Sequence, residues 1–271
     1  MSKKFYGRNK YGLAAALVFL VSCMMASECY FDFEKIRGSG EVVTEERDVS
    51  GITGVKVSNQ GDLKIELGDR EKLVIEAEDN LIEYIETYVE DGVLKIGTEP
   101  NINLRNKKPI RYYLTARKLV YLATSSSGDI EAPALRADDF TVKVSSSGDI
   151  EIDELEAEEV SVGISSSGDV TIDTLESGSL TIRISSSGDL KIGRGNVKTQ
   201  DINISSSGNY EGSLVESLRT EVKISSSGDA KVWVTEYLDV HLSSSGDLYY
   251  KGDPDEFQHR ETSSGDVIKI R

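Results

Sequence analysis

Apolar and polar residues alternate along most of the chain, and the pentad Ser-Ser-Ser-Gly-Asp interrupts the alternation at regular intervals. Val142 and Val144 precede Gly148, and Ile150 and Ile152 follow it. The same places hold Val162 and Ile164 before Val170 and Ile172, then Ile182 and Ile184 before Leu190 and Ile192. Val222, Ile224, Ala230 and Val232 repeat the pattern, as do Val240, Leu242, Leu248 and Tyr250. Period-two alternation rich in β-branched residues predicts strands with one buried face. The pentad glycines are Gly128, Gly148, Gly168, Gly188, Gly208, Gly228, Gly246 and Gly265, spaced by 20 residues and, for the last two steps, by 18 and 19. A fixed period of this length predicts a solenoid with one coil per repeat.

Two all-β architectures fit the period. In a parallel β-helix of about 20 residues per coil, like residues stack in ladders about 4.8 Å apart. In an antiparallel meander or barrel, each pentad is a hairpin loop. The near-identity of the pentads favours the β-helix, because a solenoid corner stacks on its own copies whereas a hairpin needs only some turn. In such a corner the glycine is expected to supply a backbone with φ > 0. The serine hydroxyls and the aspartate carboxylate are expected to bond to backbone groups freed by the bend. Leu135, Leu155 and Leu175 recur every 20 residues and are expected to plug the core, while the acidic stretch Asp153–Glu159 reads as a looser, solvated face.

Residues 40–120 alternate less regularly, over Val55–Leu67, Leu73–Glu78, Ile82–Glu90, Val93–Gly97 and Tyr112–Thr115. They read as the first, irregular coils of the same solenoid, capping one end, with Ser58-Asn59-Gln60-Gly61-Asp62 in place of a serine pentad. His259, Glu261 and Lys269 stand where apolar residues are expected, which suggests a cap at the other end that blunts an open edge.

The first residues change the picture. Lys3, Lys4, Arg8 and Lys10 precede the apolar run Leu13–Val21, which is too short to span a bilayer. It ends in Leu20-Val21-Ser22-Cys23, similar to the lipobox of bacterial lipoproteins, in which the cysteine is lipidated and becomes the mature N-terminus. Residues 1–22 thus read as a lipoprotein signal peptide, 23–39 as anchor and linker, and 40–271 as a single β-helix domain. The alternative is a secretory signal cut near Ala26. A lipid on Cys23 would anchor the protein to a membrane, at about 0.8 kcal/mol per buried CH₂. Cys29 would then be the one remaining thiol, with no internal disulfide to form. The formal charge is −16, and −20 once the four basic residues of 1–22 are removed. Such a charge argues against nucleic acid as a partner.

Little in the chain resembles catalytic machinery. His241 and His259 are the two histidines, and His241 points outward by alternation. There is no phosphate loop, zinc spacing or nucleophile elbow. Asp129, Asp149, Asp169, Asp189, Asp229, Asp247 and Asp266, interrupted by Asn209, would stack as a ladder; calcium could relieve their repulsion, but bonds to backbone or water explain them as well. No cofactor is expected. Trp233, Tyr237, Tyr249 and Tyr250, with Tyr210, gather in the later coils and could offer stacking surface, or could be ordinary packing.

The sequence resembles the bacterial head GIN domain proteins, described as auto-transporter adhesins and common in Bacteroidetes. The resemblance rests on Glu46-Arg47-Asp48-Val49-Ser50-Gly51-Ile52-Thr53-Gly54-Val55, on Gly61-Asp62-Leu63, on Val89-Glu90-Asp91-Gly92-Val93-Leu94-Lys95-Ile96, and on the Ser-Gly-Asp repeats. It implies a right-handed β-helix-like fold in an envelope protein and supplies no catalytic residues. Two functions remain open. One is a non-enzymatic outer-membrane lipoprotein that binds glycan or a host or envelope protein. The other is a structural or spacer protein of the envelope with no specific ligand.

Overall fold

The computed structural model describes residues 33–262 and 264–271. Met1–Glu34 forms one unit, of which only the last two residues are described, and Lys35–Arg271 forms a second compact unit. The expected signal segment, Cys23 and Cys29 lie outside the described residues. Among the described residues, no helix is long and apolar enough to cross a membrane.

The Lys35–Arg271 unit is a β-solenoid of about seven turns with roughly 20 residues per coil. Ile150–Ile164, Val170–Ile184, Leu190–Ile204 and Tyr210–Ile224 are strands of 15 residues, each paired in parallel with the next. The register is the sequence period itself: Val142 pairs with Val162, Val162 with Ile182, Ile182 with Ile202, and Ile202 with Val222. The hairpin alternative is excluded by this parallel pairing.

One coil shows how the pattern folds. Ile150, Ile152, Leu155, Ala157, Val160, Val162 and Ile164 are all buried. Alternation slips by one at Asp153-Glu154 and again at Glu158-Glu159, where two consecutive residues face out. Inward residues can stay inward across such a slip only if the strand bends there, because side chains alternate faces. Two bends and one pentad give the coil three sides. The acidic half of the repeat is therefore strand, not looser chain. Leu135, Leu155 and Leu175 stack in register inside it.

Residues 40–120 depart from coils laid in chain order. Gly54–Val57 and Asp62–Leu67 form a coil stacked in parallel on Tyr121–Thr124 and Ile130–Ala132. Its other side is covered by Val93–Thr98 and Arg111–Ala116, again in parallel. The end coil is thus laid after its inner neighbour. Antiparallel strands close this end: Lys72–Glu78 pairs with Arg111–Ala116 and with Val42–Arg47, and Ile85–Glu90 pairs with Val93–Thr98. The hairpin joining the last two turns at Asp91-Gly92, both at positive φ, as a two-residue turn of this kind requires. Ile82–Tyr84, expected as strand, is a single 3₁₀ turn. Glu34–Arg37, within the expected linker, is a strand beside Ile102–Arg105.

Glu78 ties this cap together. Its side chain is buried, and its carboxylate accepts N–H bonds from Gly40 at 2.6 Å, Lys107 at 2.8 Å and Lys108 at 3.3 Å. At the far end, His259 pairs with Val240 and Phe257 with Leu238, so polar and aromatic groups replace the aliphatic ladder. The rings of Phe257 and His259 stack at 5.1 Å.

Candidate functional site

Each pentad is bonded to its copies above and below. Ser165 N–H donates to Val144 O at 2.9 Å, Gly168 N–H to Ser146 O at 2.9 Å, and Asp169 N–H to the Asp149 carboxylate at 2.7 Å. The last bond recurs along the ridge. Each Asp Oδ1 accepts the backbone N–H of its counterpart in the next coil, from Asp129 to Asp149 through to Asp247 and Asp266. Asn209 keeps the ladder whole: its N–H and Nδ2 both donate to Asp189, and its Oδ1 accepts from Asp229 N–H. The first serine hydroxyls of four inner pentads make long contacts, such as Ser165 Oγ to Val144 O at 3.4 Å, whereas Ser125 Oγ donates to Ser58 Oγ at 3.0 Å.

The expected role of the glycines is corrected here. None of the eight pentad glycines has φ in the left-handed region. What forbids a side chain is the neighbouring coil: a Cβ on Gly188 would lie 2.2 Å from the carbonyl oxygen of Gly168, and the other seven meet the same obstacle at 2.1–2.3 Å. Rung spacing, not turn type, selects glycine.

The aspartate ladder is thus backbone machinery. Its Oδ1 atoms are already engaged, and each coil contributes one carboxylate. Among the described residues, no group of three or more His, Cys, Asp or Glu side chains is placed to hold a metal ion.

The later aromatics do not form one cluster. Tyr210 is buried and offers no surface; burial pushes its phenol far above the ordinary range, and its hydroxyl donates to Gln200 Oε1 at 2.9 Å. Tyr250 turns inward, in register with Val232, and packs on the core and on Phe257. Tyr249 faces outward and donates to Asp247 at 3.3 Å. The Asp247 charge raises its phenol pKa. Trp233 and Tyr237 are half-buried on an irregular stretch. Pairing between Tyr210–Ile224 and Ala230–Leu242 shifts between Gly212 and Glu216 and again between Ser217 and Arg219. These shifts absorb the two residues missing from the 18-residue repeat. The Lys251 ammonium lies 4.0 Å from the Trp233 ring centre, and the Arg219 guanidinium 4.4 Å from that of Tyr237. Leu214 and Leu218, in the same stretch, are exposed. His241 is exposed, as alternation predicts.

One set of outward residues escapes a strand-by-strand reading. From Lys143 to His241, the position five residues before each pentad glycine lies between two buried residues and faces out. Aligning that column across coils would have revealed its charge; total composition hides it.

The family model described as "Putative auto-transporter adhesin, head GIN domain" matches residues 51–254. No curated protein sequence matches. Among solved structures, a putative lipid binding protein from Parabacteroides distasonis is 26% identical, with a TM-score of 0.75, over 88% of this chain and 100% of its own. A putative adhesin from Parabacteroides merdae gives 19% identity and a TM-score of 0.81, with the same coverage. A putative adhesin from P. distasonis gives 19% and 0.73, again with that coverage. The last two likenesses establish the fold.

Proposed function

The chain belongs to the head GIN domain family, and from that premise we propose that it is a non-enzymatic binding protein of the cell envelope, gripping a glycan or an envelope or host protein. The register break at Trp233 and Tyr237 carries this reading. A solenoid built from stacked copies gains nothing from a coil two residues short, and the irregular coil is where two partly exposed rings lie flat beneath cations. Rigid aromatics offer large contact area at low entropic cost, and a neighbouring cation adds hydrogen-bonding reach.

The basic start, short apolar run and Cys23 support attachment to the outer membrane as a lipoprotein, and the excess of acidic residues disfavours nucleic acid as partner. The uniform corner ridge favours a second reading, a spacer with no specific ligand.

Two measurements separate these. Binding to a glycan array that disappears in Trp233→Ala and Tyr237→Ala supports the binding protein; an unchanged pattern in both variants refutes the site. Antibody labelling of intact cells, lost in Cys23→Ala, supports surface anchoring. Labelling only after cells are opened would put the chain in the periplasm and rule out adhesion.

A further inference from the structure

The column five residues before each pentad glycine runs up one face of the solenoid. Its register order is Lys56, Ala123, Lys143, Gly163, Arg183, Asn203, Lys223, His241, Arg260. Every second rung carries a lysine or arginine, and the rungs between carry Ala, Gly, Asn or His. Adjacent rungs are about 4.8 Å apart, so the fixed cations recur about every 9.6 Å. On a chain of formal charge −16 this is a concentrated positive line.

Its two halves differ. In the later coils the outward positions two residues earlier are Asp201, Glu221 and Asp239, and Lys223 lies 3.9 Å from Glu221. Below Lys56, Lys95 is bonded to Glu90. In the first half, the corresponding neighbours are Tyr121, Thr141, Ser161 and Thr181, all uncharged. Among the described residues, Lys56, Lys143 and Arg183 have no carboxylate partner within ion-pair distance. These three border a groove of about 320 Å³ that also touches Tyr121, Gly163 and Ser165. A Cβ on Gly163 would meet nothing within 4 Å, so the groove floor is open there. The Lys143 ammonium lies 5.9 Å from the Tyr121 ring centre.

We propose that this groove binds a linear acidic polysaccharide carrying one anionic group on every second sugar, laid along the solenoid axis across Lys56, Lys143 and Arg183. The proposal adds a second site, apart from Trp233 and Tyr237, and rests on the binding-protein reading. An extended sugar advances about one rung, roughly 5 Å, so a disaccharide repeat matches the two-rung spacing of the cations. The serine, threonine and tyrosine hydroxyls between them suit sugar hydroxyls. A nucleic acid strand carries a charge every 3.4 Å, about three times too dense for this line.

The test is binding of the full-length protein, in neutral detergent, to hyaluronan, which carries one carboxylate per disaccharide. Dextran and polygalacturonate are the comparators. Hyaluronan should bind and dextran should not. Binding should fall about tenfold or more in the triple variant K56S/K143S/R183S, and likewise as salt rises from about 50 to 300 mM. K223S/R260S, outside the groove, should stay within about threefold. Gly163→Lys fills an alternate rung without a steric clash and should shift preference toward polygalacturonate, with its charge on every sugar. Unaltered melting temperatures would show that the variants are folded. Equal hyaluronan binding by the triple variant would overturn the proposal. No hyaluronan binding, with neutral-glycan binding intact, would overturn the acidic ligand and leave the binding protein standing. Silence toward every probe and array would overturn both.

Discussion

Tyr210 occupies the space of the side chain that residue 212 lacks. A Cβ on Gly212 would lie 2.2 Å from the Tyr210 hydroxyl oxygen. Elsewhere these two rungs hold aliphatic pairs: Tyr210 pairs with Leu190 and Ala230, and Gly212 with Val232. The large ring is admitted because the neighbouring inward position is empty, and its hydroxyl is used by Gln200, which replaces Leu180 of the coil before. Three departures from the repeat thus form one compensated set.

Gly212→Ala should therefore be destabilising, by about 1–3 kcal/mol, because the clash is with a rigid ring in a packed interior. Gln200 Nε2 is buried with no hydrogen-bond partner among the described residues, so the set carries a polar cost even as it stands. Replacing all three with their neighbours' residues, Tyr210→Leu, Gly212→Val and Gln200→Leu, should raise stability above the wild type. Chemical denaturation of the single and triple variants measures the coupling. A triple variant no more stable than the sum of its singles would show that the three sites are independent.

The corner ladder predicts a contrast between two substitutions of the same aspartate. Asp169→Ala removes the acceptor for the Asp189 N–H and should cost about 0.5–1.5 kcal/mol. Asp169→Asn keeps an acceptor and can donate back, as Asn209 does to Asp189. It also relieves repulsion along the ridge, so stability should hold or rise, most visibly at low salt. Addition of EDTA should leave both melting curves unchanged. A fall in melting temperature with EDTA, restored by calcium, would mean that the carboxylates hold metal rather than amides.

Substitution of a pentad glycine tests what the corner needs. Gly188→Ala should destabilise by more than the cost of a strained turn, because its Cβ meets the fixed carbonyl of Gly168 at 2.2 Å. Gly188→Asn, the usual remedy where φ is positive, should be no better than alanine. Rescue by asparagine but not alanine would restore the turn explanation.

The solenoid was legible because its period is written in residues: seven pentads and a shortened eighth copy, a Leu135–Leu155–Leu175 ladder, and inward sites at fixed distances from the glycines. The end coil was not, because 40–120 contains strands that pair with neighbours distant in sequence, as Val93 does with Gly54. Alternation gives a strand but not its partner. The Asp91-Gly92 hairpin could have been read, since that dipeptide between alternating runs is a turn signal. The role of the pentad glycines was misread for a physical reason. A glycine needed for close approach and one needed for positive φ look identical in sequence. Of the candidate aromatics, Trp233 and Tyr237 lie outward at a register break, whereas Tyr210 and Tyr250 turn inward. Only the two-residue deletion in that repeat hinted at the difference. The cation column was hidden by net charge, which averages over faces.

Glu211 gives the pH dependence. Burial raises its carboxyl pKa, but hydrogen bonds from Lys231 and from the Ser213 hydroxyl and N–H outweigh this, and the net shift is below 4.5. Lys231 Nζ lies at 2.8 Å, and its own pKa is raised by the same bond. A carboxyl whose folded pKa is depressed contributes stability above its unfolded value, and that contribution disappears as pH falls through the folded one. Glu211→Gln should therefore cost stability at pH 7, about 1 kcal/mol given its partial exposure. The gap to wild type should close as pH falls below 4.5. Lys231 stays charged throughout that range, so the closing belongs to the carboxyl alone. Urea unfolding of both proteins from pH 7 to pH 3 reads the difference directly. A constant gap across that range would mean that the glutamine disturbs packing around Ser213 rather than removing an ion pair.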